Sequence, residues 1–200
     1  MAGHAGPYLR ASAGKLRDRM DRFFVVTGGP GSGKSTLLAV LAKQGLPHMP
    51  EAGRAVIRDE VAAGGTALPW DDRDTFAERM LTHDLSSYEE ARTKDGVLFF
   101  DRGIPDIIGY RILCGLGIPG DLTRAAESNR YNWHVFIAPP WAEIYAKDTE
   151  RKQDWDEAVA THDVMARVYQ QLGYTLVPLP LVSPDKRAAF LQHWIAKLET

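Results

Sequence analysis

Excess charge of either sign is missing from this sequence: 24 lysines and arginines face 26 aspartates and glutamates, a formal net charge of −2. No global positive field attracts a polyanion, which argues against a dedicated nucleic-acid binder. Cysteine is nearly absent too. The single Cys114 has no internal disulfide partner, which suits a reducing cytoplasm, and its apolar surroundings from Ile107 to Leu116 predict an inert buried thiol. No run approaches the roughly 20 apolar residues of a membrane-spanning helix. The amino-terminal stretch MAGHAGPYLRASAGKLRDRMDR also lacks the apolar core of a signal peptide, so the expected location is the cytoplasm. Residues 1–22 carry five basic and two acidic side chains and read as a solvated or loosely helical leader. Repeats, low-complexity tracts and linkers are missing after residue 22. With 44% apolar and 25% charged residues, 23–200 is expected to form one domain with a substantial core.

What is present is an alternation of strand and helix patterns, the pattern of a parallel sheet with helices on both faces. Strands are predicted at Phe23–Thr27, Leu46–Pro50, Val97–Phe100, His134–Ala138 and Tyr174–Pro178. Helices are predicted over 35–43, 54–63, 71–93, 105–113 and 122–130. Another carries Ala158, Met165, Val168 and Leu172, and the last is expected to turn Ala188, Leu191, Trp194 and Leu198 inward.

Directly after the first strand comes GGPGSGKS, residues 28–35, a full match to G-x-x-x-x-G-K-[ST] between an apolar strand and an apolar helix. Gly28, Gly29, Gly31 and Gly33, with Pro30 and Ser32 between them, let the backbone curl so that its amides face a phosphate chain, where larger side chains would intrude. The helix start beyond Gly33 adds its dipole. Lys34 is expected to bridge the β- and γ-phosphates of ATP, Ser35 to take one position on Mg²⁺, and Thr36 to reach the α-phosphate.

A P-loop does not choose a phosphoryl acceptor, so the polar clusters at the carboxyl ends of the other strands must. Glu51 follows the second strand and is placed to orient an attacking hydroxyl and take its proton; the blander role is an acid favoured by a helix amino terminus. Asp101 closes the third strand and is placed to hold Mg²⁺ as a Walker B acid does, with Arg102 beside it facing substrate or phosphates. Arg54 shares the pocket wall with Glu51 and Arg102. The segment 139–157 contains a mixed charged run in which Arg151, then Lys152, are candidates for a closing cation, against the commoner role of such runs as a solvated face. Trp70, Phe76, Trp133 and Trp141 are candidates for a stacking wall, a role competing with ordinary core packing.

The segments GGPGSGKST, PEAGR, VLFFDRGIPDIIGY, FIAPPWAEIYAKDTERKQDWDEA and GYTLVPLPLVSPDKRAAFL, in that order across residues 22–198, resemble the AAA-type P-loop domain family that includes the ribosylnicotinamide kinase domain, within the nucleoside and nucleotide kinase group. The resemblance implies a five-stranded parallel sheet of nucleoside-monophosphate-kinase type in three layers, with the P-loop on a central strand. It also implies that Asp101 and Arg102 serve as the acid–arginine pair near Mg²⁺ and substrate, Glu51 as the base, Arg151 as a lid arginine, and the loop after Pro178 as a border of the adenine. A long lid domain and a nucleobase-reading motif are both missing. The expected activity is Mg-ATP-dependent transfer of the γ-phosphoryl group to a small-molecule hydroxyl. The alternative is a regulatory NTPase without such an acceptor; a polynucleotide end kinase would need a basic groove that the charge balance does not offer.

Overall fold

The computed structural model describes residues 21–145 and 154–198. Strand β1 (Phe23–Gly28) is buried along its whole length, as a continuous apolar run with no polar alternation requires of a central strand. It pairs in parallel with β3 (Leu98–Asp101) on one side and β4 (His134–Ala138) on the other. With β2 (His48–Met49) and β5 (Thr175–Pro178) outside them, the sheet has five parallel strands in the order β2-β3-β1-β4-β5. The second strand is shorter than the sequence pattern suggests. Pro47 and Pro50 bracket it, and proline has no amide to donate to a ladder.

Helix α1 (Lys34–Lys43) and the last helix, α7 (Pro184–Ala196), cover one face, where Leu37, Leu38, Leu41, Ala188, Leu191 and Ile195 meet Phe24, Val26, Phe99 and Phe136. The other face is covered by α3 (Arg73–Arg92) and α6 (Trp155–Gln171), with Tyr88, Ala91 and Tyr169 packed on Phe23, Val25, Phe100 and Val135. A third apolar cluster joins α2 (Ala52–Ala63), α3, α4 (Ile104–Leu113) and α5 (Gly120–Ser128) through Val56, Phe76, Met80, Ile107 and Leu122. Each fully buried Leu or Phe contributes about 1.5–3 kcal/mol, so these clusters fix where the loops at the carboxyl ends of the strands must lie.

Several elements depart from the sequence expectations. Helix α2 starts at Ala52, which puts Arg54 in its first turn. Asp101 is the last residue of β3 itself. At the C-terminus Ile195 takes the inward position, while Leu198 lies beyond α7 and is 44% exposed. Cys114 is half-buried at the end of α4 where full burial was expected, because only the inner side of that helix end is covered. Lys147, Arg151 and Lys152 lie outside the described residues, as do residues 1–20 of the expected leader. Among the described residues no helix is long and apolar enough to cross a membrane.

Two P-loop glycines answer to their neighbours in the fold as much as to any phosphate. A Cβ on Gly28 would sit 2.4 Å from the Ala138 carbonyl oxygen on β4, at a φ of +125°, and one on Gly29 would sit 2.2 Å from the Ala158 carbonyl oxygen on α6. We expect Gly28→Ala to force β1 and β4 apart at the site end and cost on the order of 3 kcal/mol, combining backbone strain with overpacking. A urea-denaturation midpoint equal to that of the parent would show that the strands separate there at little cost.

Candidate functional site

The P-loop curls between β1 and α1 with Gly33 at the N-cap in a left-handed conformation. Lys34 is buried, and its Nζ donates to the carbonyl oxygens of Gly29 at 2.7 Å and Gly28 at 3.3 Å and to Ser32 Oγ at 3.3 Å. Burial and the nearby Arg102 guanidinium lower its pKa to about 8, against the opposing pull of Asp101, Glu51 and Asp106. Ser35 and Thr36 are exposed at the start of α1.

Asp101 sits beside β1, in register with Val26, and one carboxylate oxygen accepts from Ser35 Oγ at 3.2 Å. Its other oxygen, Oδ1, is buried without a hydrogen-bond partner. Burial and the negative charge of Glu51 raise the Asp101 pKa despite the neighbouring cations. A hydroxyl and an orphaned carboxylate oxygen side by side form an all-oxygen donor pair, which fits a hard dication such as Mg²⁺. Among the described residues no group of three or more His, Cys, Asp or Glu side chains forms a metal cage. A Mg²⁺ bound through one or two protein ligands plus phosphates requires none.

Glu51 occupies the N-cap position of α2 but makes no side-chain cap hydrogen bond. The carboxylate instead accepts from Arg102 Nε at 2.9 Å and Arg54 Nε at 3.0 Å. Burial pushes its pKa up, but the charges of Arg102, Lys34 and Arg54 outweigh that and hold it below the usual carboxylate range. Glu51 therefore stands at a helix amino terminus, as the blander expectation has it, and is ion-paired as well. Glu51, Arg54, Ser35 and Asp101 line a cleft of 260 Å³ together with His48, Arg58 and His83.

Arg102 adopts φ +71°, the sole positive value among the described non-glycine residues. Such a conformation costs about 1–3 kcal/mol and persists only where surroundings impose it. Here the Arg102 amide donates to Val26 O at 3.1 Å, and its guanidinium reaches Glu51 and, at 2.9 Å, Asp106. Burial opposes its charge, yet Glu51, Asp106 and Asp101 prevail and raise its pKa. Asp106, on the first turn of α4, is the hub behind the site: it also accepts from Thr27 Oγ1 at 2.5 Å, Tyr169 OH at 2.6 Å and the Gly103 amide at 3.0 Å.

Besides the cleft-lining His48, Arg58 and His83, three polar residues around the site were not singled out from the sequence. Asp106 belonged to the quoted DRGIPD run, and its place in the first turn after Asp101 was the available signal. Arg187, on α7, is 2% exposed; its Nη1 donates to Ser32 O at 2.7 Å and its Nε to Pro180 O at 2.8 Å, and its guanidinium lies 4.8 Å over the Trp141 ring. Asp84 lies on the inner face of α3, 7% exposed, with Asp106, Glu51 and Arg102 as its charged neighbours and Tyr131 nearby.

Burial, followed by the two carboxylates, raises the Asp84 pKa well above its ordinary value, and Arg102 offsets only part of this. A folded-state pKa above the unfolded value means that the unfolded chain ionises first as pH rises past the usual carboxylate range, so the group penalises folding increasingly above that range. Asp84→Asn is therefore expected to stabilise the protein at pH 7, on the order of 1–3 kcal/mol, with the gain shrinking toward pH 4. Thermal melts at the two pH values test the sign; a gain that is larger at pH 4 would refute it.

Of the four aromatic candidates, Trp141 alone adjoins the P-loop, through Arg187. Phe76 is core, Trp70 is exposed, and Trp133 precedes β4 at the opposite end of the sheet, where it packs against Tyr174.

A family model described as an AAA domain matches residues 23–187, and the chain belongs to that family. No curated protein matches the sequence. Among solved structures the chain is similar to NadR protein in complex with NR, at 21% identity and a TM-score of 0.65, covering 92% of this chain and 52% of that one. It thus spans about half the length of NadR. It is also similar to deoxyadenosine kinase from M. mycoides with bound dATP (13% identity, TM-score 0.57, 90% of this chain and 100% of that). Thymidylate kinase from Ehrlichia chaffeensis is a further likeness (14% identity, TM-score 0.58, 88% and 98%). The fold is that of the P-loop kinases, with the five parallel strands and helices on both faces that the sequence implied.

Proposed function

We propose that this domain is a Mg-ATP-dependent small-molecule kinase. The observation that carries the proposal is that Ser35 and Asp101, at the phosphate end, share one cleft with Glu51 and Arg54, at the acceptor end. Residues 28–36 hold the polyphosphate, with Lys34 released from its loop carbonyls to the β- and γ-oxygens. Ser35 and Asp101 hold Mg²⁺, which when bound neutralises charge on the phosphates. Glu51 orients the acceptor hydroxyl and takes its proton as the new oxygen–phosphorus bond forms and the bond to the β-phosphate oxygen breaks, leaving ADP. Arg102, behind the cleft and paired with Glu51 and Asp106, holds the base in position, and Arg151 is assigned the closing cation of the 139–157 segment.

The test uses terminally labelled ATP, Mg²⁺ and pools of hydroxyl-bearing metabolites, with Lys34→Ala as the blank. Label in an organic product is the expected result. Label released only as inorganic phosphate, at a rate that no pool changes, would overturn it in favour of a regulatory NTPase.

A further inference from the structure

The acceptor end of the cleft brings two arginines and two histidines together. Arg54 and Arg58 rise from successive turns of α2, His48 comes from β2 and His83 from α3. Arg102 lies directly behind, bonded to the same Glu51 carboxylate that Arg54 bonds. Both Glu51 oxygens are thus occupied by guanidinium groups. His48 Nδ1 is buried without a hydrogen-bond partner, although the ring borders the cleft. An orphaned buried ring nitrogen beside two arginines asks for a polar ligand between them.

Two carboxylates, Glu51 and Asp101, face the two arginines in the lining, and both are already engaged. Asp101 faces Ser35, Glu51 is the base, and Asp59, which pairs with Arg58 at 3.2 Å, is 67% exposed. Exposed pairs of this kind are weak, and a bidentate oxyanion displaces them readily.

We propose that the phosphoryl acceptor is an anion, a hydroxyl compound bearing a phosphate monoester or carboxylate group that Arg54, Arg58 and Arg102 receive, and that its arrival draws the arginines off Glu51. The proposal rests on the phosphotransfer reading given above. It adds a consequence for selectivity. A carboxylate clamped by two guanidinium groups is a poor proton acceptor, and an anionic acceptor unclamps it in the act of binding. Neutral and cationic compounds have no oxyanion to draw the arginines away and leave Glu51 clamped. Anionic acceptors thus differ from the other two at the proton-transfer step as well as in binding.

The experiment compares four acceptor sets under labelled ATP and Mg²⁺: neutral nucleosides, pyridinium ribosides, nucleoside monophosphates, and hydroxyl-bearing carboxylates. Calorimetric binding of each set to the ATP-free protein is measured in parallel. The expected result is label in one of the two anionic sets, at a kcat/KM at least about tenfold above either other set. Arg58→Ala is expected to lower that kcat/KM and the calorimetric affinity about tenfold while ADP affinity stays at the parent value. The two anionic sets separate phosphate from carboxylate recognition. Preferential label in a neutral or cationic set, or indifference of the preferred anion to Arg58→Ala, overturns the inference while leaving the kinase reading intact. Absence of organic label from every set, with ADP still bound, overturns both.

Discussion

Lys34→Ala is expected to cut transfer by on the order of 10²–10³-fold, the scale seen when a preorganised donor to a transition-state oxygen is lost. The structure makes this more than a motif argument. The ammonium group is desolvated, its pKa is down at about 8, and three oxygens of the loop itself hold it in place. A phosphate arriving beside the ammonium group adds to the countercharge that Asp101, Glu51 and Asp106 supply from further off. The substitution also removes a buried cation whose partners are carbonyl and hydroxyl oxygens, so the fold should survive it. The checks are labelled transfer and a thermal melt run together. Transfer at the parent rate would refute the P-loop assignment; lost transfer with a collapsed melt would move the explanation from chemistry to stability.

Glu51→Gln is the second large effect. If Glu51 accepts the hydroxyl proton, kcat should fall by about 10²–10⁴-fold, the usual contribution of a positioned base, while ATP affinity is spared. The amide keeps the shape of the carboxylate but loses the charge that holds Arg102 and Arg54. Nucleotide binding and single-turnover transfer, measured on the same preparation, separate the two effects. Equal transfer rates would shift the proton to Asp101, which is less suited because it bonds Ser35 and is the residue proposed to hold the metal.

Much of this site was legible before any coordinates because its parts are local. The P-loop follows from eight consecutive residues and the strand before them. Asp101, Arg102 and Glu51 follow from a simple rule: polar residues that end buried strands lie at one edge of the sheet. What escaped was decided by packing between distant elements. In α3, Asp84 is one acid among several in a highly charged helix. Its spacing, four residues from both Met80 and Tyr88, is the signal that sets it apart from Asp74 and Glu78, but a carboxylate on an apolar stripe reads as a misfit until the meeting of α3 with α4 shows it buried. Arg187 looks like an ordinary helical arginine until α7 docks beside α1 and brings it against Ser32, 155 positions away. Leu85 shows the same limit: it is only half-buried, while its neighbours Asp84 and Ser87 are buried.

The stacking of Arg187 on Trp141 also makes this chain its own optical gauge. A charged plane over an indole shifts and quenches its emission, and the same guanidinium is bonded to the Ser32 carbonyl of the P-loop. A displacement of that loop that drags the bonded guanidinium with it changes the distance between cation and ring. With Trp70, Trp133, Trp155 and Trp194 replaced by phenylalanine, Trp141 would be the last indole to emit, and its spectrum would report loop movement in real time without an added dye.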